Sequence, residues 1–414
     1  MMSYVLHISL TLAVAWFAVF ALRERLVKHP APYAGGSVPE RRTLLRVFLL
    51  ALALRLVMLA AGEVLVHLAD GGAVHLVDRF TRSDGYHYLH LAELGYHGYI
   101  ENGQHLFLVF FPLYPWILGV LGKIFGSVAL CGVVLSCLCY ALGCVYAYRL
   151  VCERFTQRIA ADAVVLLSLF PYSFFFGLVM TEGLFLLCSC GALYYIHKHR
   201  WMAAGIFGAL AALCRMTGVL VMGAAIVELL TMHLPEPEET WDLPDYLKKV
   251  LPRIPMLLLP LLGTCVYFGL NYAVDGDPFA FVTHQEHWSQ GFTWISQTAD
   301  YMLHYALRGH NATATIWAPQ LVMLPLCLLA LFWSVRRKRQ PNFLIAYGFA
   351  YFLATFCLSW LLSGGRYLSC CLPFFVILSE FLEKRPLLRA VMPALFGGGM
   401  LVYYHLFLSG APLY

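Results

Sequence analysis

Charge is what this chain has least of. Lysine, arginine, aspartate and glutamate make up 12% of its 414 residues, against 61% hydrophobic residues. A soluble globular domain carries roughly 25% charged residues, so the deficit excludes an ordinary soluble fold. The net charge is only +5, which gives no case for nucleic-acid binding. No glycine-rich nucleotide fingerprint stands between a strand and a helix, so no nucleotide-binding domain is implied. Cysteines number 13, but most sit in apolar runs, such as Cys131, Cys137, Cys139 and Cys144, or Cys188 and Cys190. Cys137 and Cys139 lack a second pair at zinc-binding spacing. They read as small thiols packed between helices.

What the chain does have is a series of apolar runs, several of about 20 residues, the length that crosses a bilayer. Lipid offers the backbone no hydrogen bonds, so such runs must be helical. The expected fold class is an all-α polytopic membrane protein of about 12 spans. Basic loops stay cytoplasmic. Arg23, Arg25, Lys28, Arg41, Arg42 and Arg46 therefore place residues 23–45 inside, and Arg336-Arg337-Lys338-Arg339 mark a second inside loop. The resulting division is an N-terminal unit, 1–45, of one helix and a basic linker, and a membrane body, 46–414. Outer loops fall at about 69–126 and 274–316, and a polar cytoplasmic linker at about 234–253. The stretch 159–179 reads as one outward span. Phe110-Phe111-Pro112-Leu113-Tyr114-Pro115 opens a short helix lying in the outer interface. The outer loops contain no cysteine and imply no disulfide framework.

Every polar motif collects on the outer side. Asp84 lies in Arg82-Ser83-Asp84-Gly85-Tyr86-His87-Tyr88 and reads as a general base, able to take the proton of an attacking hydroxyl. The alternative is a helix cap at Ser83 or Asp84. Glu182 follows Thr181 at the outer end of a helix; it is either an active-site carboxylate or a first-turn charge favoured by the helix dipole. Arg215 and Arg366 are isolated outer arginines whose fork of donors suits a phosphate, snorkelling being the alternative. Asp275-Gly276-Asp277-Pro278 is explained by turn chemistry. His284, Glu286 and His287 are too loosely spaced for a metal motif, so no metal and no cofactor is expected. Trp288, Trp294 and Tyr301 suit sugar stacking or interfacial anchoring. Asn311-Ala312-Thr313 is a glycosylation sequon.

Taken in order, these pieces resemble the PIG-V-like mannosyltransferases, whose eukaryotic members add the second mannose to glycosylphosphatidylinositol anchors. The pieces are Ser83 to Tyr88 with Ala92 to Tyr96, Phe110 to Pro115, and Phe170-Pro171 with Thr181 to Phe185. Ala211 to Gly218, Gly276 to Phe281 with Gln285 and Trp288, and Arg366-Tyr367 complete them. They span residues 80 to 370. The resemblance implies a GT-C glycosyltransferase bundle with a catalytic first outer loop, a polyprenyl-phosphate sugar donor, commonly mannose, and inverting transfer. By it, Asp84 matches the catalytic acid of the loop, with Glu182 as a second catalytic candidate. Substrate-binding candidates are His87, Arg215, Asp277, Gln285, Trp288, Arg366 and Tyr367, the two arginines being assigned to donor phosphate. Ser83 stands where the family often has tryptophan, and the helix at 3–22 is extra.

The implied acceptor is a glycan, glycolipid or protein, and a protein partner is compatible with this reading. Two rivals remain: a lipid-linked sugar flippase or transporter, and a non-catalytic subunit of a glycosyltransferase complex. The absence of a clear internal repeat, and the gathering of polar groups at one face, weigh against a transporter. Short linkers suggest a bacterial plasma membrane, with the endoplasmic reticulum as the alternative and the site on the non-cytoplasmic face.

Overall fold

A computed structural model describes residues 2–25, 36–70, 79–234, 241–309 and 312–414. The sequon asparagine, Asn311, Lys28 and part of the 234–253 linker lie outside the described residues. Within them the chain is nearly all helix, with only two isolated β-bridges, Glu101 to Gln104 and Phe292 to Leu358.

Among the described residues, six helices are long and apolar enough to cross a membrane: Ser3–Glu24, Arg41–Leu68, Val128–Arg154, Leu243–Asp275, Thr313–Arg337 and Pro386–Leu408. Shorter apolar helices are Leu113–Phe125, Trp201–Cys214, Met216–Thr231, Asn342–Phe356 and Leu372–Leu382. Val128–Arg154 is the most buried of the long helices and packs along Glu182–His197. Gly183 makes that approach possible: a β-carbon there would stand 2.4 Å from the Ser136 carbonyl oxygen. The N-terminal helix lies against Ile295–Leu307 and Ala318–Arg337, its Thr11 accepting from the Trp294 indole at 2.8 Å. All 13 cysteines are free thiols, and all but Cys265 and Cys327 are buried.

The stretch 159–179 is not one helix. It is helical over Gln157–Leu169, bends at Phe170 (φ −51°, ψ 139°) and resumes as a 3₁₀ turn over Ser173–Gly177. Pro171 is the reason: it lacks an N–H and disfavours helical geometry in the residue before it. The break strands carbonyls that the lipid cannot satisfy. Arg55, fully buried, reaches across from Arg41–Asp70 and donates to the carbonyls of Ser168 and Ser173. Its guanidinium also lies 4.7 Å from the centre of the Tyr140 ring.

Candidate active site

The acid loop is a tight turn closed by Gly85 N–H donating to the Arg82 carbonyl at 3.2 Å. Ser83 sits inside it at φ 56°, ψ −133°, a conformation that costs a non-glycine residue about 1–3 kcal/mol. Surrounding contacts hold the strain. Arg79 donates to the Leu408 carbonyl at 2.9 Å, and Arg82 donates to the carbonyls of Phe407 and Leu408 at 3.1 and 2.5 Å. Val179 N–H donates to the Phe80 carbonyl at 3.3 Å. Ser83 makes no side-chain cap, and Asp84 opens the helix Asp84–Gly98, where the dipole favours a carboxylate.

The Asp84 side chain is 32% exposed and faces Arg366, whose Nη2 lies 2.7 Å from its Oδ2. The same guanidinium donates through Nε to Glu182 Oε1 at 2.5 Å. Arg215 Nη1 donates to that same carboxylate oxygen at 2.6 Å. Asp84, Arg366, Glu182 and Arg215 are therefore one network of two anions and two cations, assembled from four distant stretches of chain. Glu182 is completely buried and Arg366 nearly so. Arg366 Nη1 and Glu182 Oε2 are buried with no hydrogen-bond partner. Rings line the cations: Phe175 lies 5.3 Å from Arg366, and Tyr367 and Phe185 lie 4.9 and 5.7 Å from Arg215.

Local breaks in helix aim both arginines. Trp201–Cys214 ends at Arg215, which is extended (φ −156°, ψ 150°), before a 3₁₀ turn over Met216–Val219. Gly218 packs where a β-carbon would meet the Ala211 carbonyl at 2.1 Å. Arg366 lies in the short helix Gly364–Ser369. Buried Gln320 holds the approach to it: its amide N–H groups donate to the carbonyls of Leu361 and Leu362 at 3.4 and 3.3 Å, and its oxygen accepts from Gly364 N–H at 3.2 Å.

The remaining candidates sit beside the network or apart from it. His87, one turn after Asp84, hydrogen-bonds Tyr99 Oη through Nδ1 at 2.9 Å and stacks on Phe107 at 4.5 Å. Burial lowers its pKa below 6.5, against the opposing pull of the Asp84 carboxylate. Trp288 meets Phe107 and Phe110 edge-on at 6.2 and 6.4 Å, bringing the segment after Gly276 over the turn at Leu106–Val109. Asp277 is exposed and accepts from Phe279 N–H at 2.9 Å, as the turn chemistry requires. Gln285 donates to Gln290 at 3.1 Å within its own loop. Neither makes a hydrogen bond or ion pair with the acid–arginine network. His284 pairs with Asp275 at 2.6 Å, and His105 of the first loop holds the other oxygen of that carboxylate at 2.5 Å. Asp275 read only as part of a turn, and His105, Gln320 and Arg55 did not stand out in the sequence. A glutamine and an arginine inside long apolar runs were the signals for the last two.

The arrangement defines a multi-pass helical membrane protein with a partly open carboxylate backed by a buried arginine, Arg366, and a half-buried one, Arg215. Residues 111–239 match the family described as dolichyl-phosphate-mannose-protein mannosyltransferase. The matched segment holds Glu182 and Arg215; Asp84 and Arg366 lie outside it. No curated protein matches the chain. Among solved structures, the Archaeoglobus fulgidus oligosaccharyltransferase in its apo form is similar, with a TM-score of 0.47 and 12% identity, covering 91% of this chain and 56% of that one. The same enzyme tethered to an acceptor peptide containing the NVT sequon gives a TM-score of 0.40 at 10% identity, covering 97% and 55%. The chain thus spans little more than half the length of these relatives.

Proposed function

We propose that this protein is a membrane glycosyltransferase of the GT-C kind. It moves a sugar from a polyprenyl-phosphate donor to an acceptor hydroxyl at the non-cytoplasmic face, with inversion. The carrying observation is the 2.7 Å contact between Arg366 Nη2 and Asp84 Oδ2, which sets a base beside a phosphate ligand. The acceptor oxygen bonds to the sugar's anomeric carbon and gives its proton to Asp84. The bond from that carbon to the phosphate oxygen breaks, and the lipid phosphate leaves with the electron pair. Arg366 and Arg215 stabilise the developing anion, and a buried guanidinium does so far more strongly than one in water. The unpartnered Nη1 of Arg366 is the donor still free for a phosphate oxygen. Exposure of Asp84 lets the captured proton return to solvent.

Glu182 acts as a positioning residue. It is too buried to meet an acceptor, and it fixes both arginines at one oxygen. Mannose is the sugar favoured by the resemblance and by the family matched over 111–239. The protein mannosyltransferases of that family make protein an acceptor class beside glycan and glycolipid. A bacterial plasma membrane is the proposed site. The test is transfer of radiolabelled mannose from polyprenyl-phosphate-mannose to a host membrane-glycan extract by the protein in lipid, wild type beside Asp84→Asn. Transfer by wild type alone supports the reading. Equal transfer by both removes Asp84 as the base.

A further inference from the structure

A cavity of about 420 Å³ opens at the outer end of the second loop, lined by Tyr305, Arg308, Trp317, Trp360 and Pro412 among others. Ligand pockets run from about 300 to 1,000 Å³, so this one takes one or two sugar rings. Its aromatic walls form a corner. Tyr305 and Trp317 stack at 4.9 Å, and Trp360 stands across them at 5.2 Å from Trp317 and 5.4 Å from Tyr305. Trp317 is buried, unlike a ring anchoring in the headgroups. Arg308 at the rim is exposed and has no acidic partner among the described residues.

The cavity is built from the same pieces that hold the active site. Trp317 caps the helix Ala318–Arg337 that carries Gln320, and Gln320 bonds the carbonyls of Leu361 and Leu362, which follow Trp360 and precede Arg366. Pro412 follows the carbonyls of Phe407 and Leu408 that anchor Arg82 beside the acid. The wall of the cavity is thus continuous with the supports of both Arg366 and Asp84.

We infer that this cavity is an acceptor subsite for a negatively charged hexose, its ring lying on Trp360 and its anion paired with Arg308. Apolar faces of a sugar ring cover aromatic carbon, and the guanidinium fork matches the oxygens of a phosphate. The inference rests on the transferase reading for the word acceptor; the binding itself does not depend on it.

The test is calorimetric titration of the protein in phosphatidylcholine nanodiscs with mannose 6-phosphate, alongside mannose and inorganic phosphate. Binding is expected for mannose 6-phosphate, at least tenfold weaker for either control. Arg308→Gln and Trp360→Ala should each weaken it about tenfold, Trp360→Phe should retain it, and Asp84→Asn should leave it unchanged. Arg308 is exposed, so its variant reads out even if Trp360→Ala fails to fold. Binding that ignores Arg308→Gln, or inorganic phosphate binding as tightly as the sugar phosphate, would overturn the subsite. So would displacement of the probe by polyprenyl-phosphate-mannose, which would make the cavity the donor's. Absence of sugar transfer by the wild-type protein, with mannose 6-phosphate binding intact, would sink the transferase reading and leave the site standing.

Discussion

Asp84 and Glu182 share one arginine: Arg366 gives Nη2 to the first at 2.7 Å and Nε to the second at 2.5 Å. The two carboxylates differ in what they can do. Asp84 is partly open to solvent and Glu182 is sealed. In the proposed function, one guanidinium therefore joins a base open to substrate and a clamp sealed from it.

Asp84→Asn tests the base. Asparagine keeps the size and can still contact Arg366, so unfolding temperature should stay within a few degrees of wild type. General-base catalysis contributes about 10²- to 10⁴-fold, and kcat should fall by that factor with donor binding retained. A fall in donor affinity equal to the fall in kcat would instead make Asp84 a binding group.

Glu182→Gln tests the clamp. Removing one partner of a buried ion pair costs about 3–5 kcal/mol, because a buried charge is left uncompensated. Here two arginines lose their common anion, so unfolding in detergent or lipid should move to markedly lower temperature. Adding Arg215→Met removes one of the stranded cations and should recover part of the loss. Additive losses in the double variant would mean that Arg215 and Glu182 are not coupled.

His87 sets an acid limit. Burial lowers its folded pKa below 6.5. The unfolded chain therefore binds its proton first as pH falls, and stability drops below about pH 6.5. Above that value both states hold neutral imidazole and the effect vanishes. Unfolding temperature measured from pH 5 to 8 should show this drop in wild type and a shallower one in His87→Gln. An identical profile in the variant would assign the acid sensitivity to other groups.

The sequence made the membrane character legible because apolar run length is set by bilayer thickness. Asp84 was legible as the acid of a polar, aromatic-rich island, and Arg215 and Arg366 because basic residues otherwise gather in the inner loops. Their partnership was not legible. Glu182 and Arg366 are separated by 184 residues, and no local pattern encodes that pairing. The 159–179 stretch misled because apolar composition is the same on both sides of a break. Pro171 alone marked it, and proline occurs inside other helices here, such as Pro325 and Pro393. Asp277 and Gln285 became substrate-binding candidates through the resemblance, while Asp277 also read as a turn residue; the structure gives the first that turn and the second a neighbour in its own loop.

Arg55 links that break to the site. Its two carbonyl acceptors, on Ser168 and Ser173, flank the break, and the 3₁₀ turn that follows carries Phe175 to within 5.3 Å of Arg366. Lysine at position 55 would keep the charge but not the fork. A single ammonium cannot span both carbonyls as the planar fork of the guanidinium does. Arg55→Lys should therefore lower stability by about 1–3 kcal/mol, the cost of an unsatisfied buried polar group. Through Phe175 it should also loosen Arg366, reducing kcat by less than about tenfold, far short of the loss at a general base. Unfolding temperature and transfer rate measured on the same preparation check both. A stable variant with normal transfer would show that the break holds itself, without a cation from the neighbouring helix.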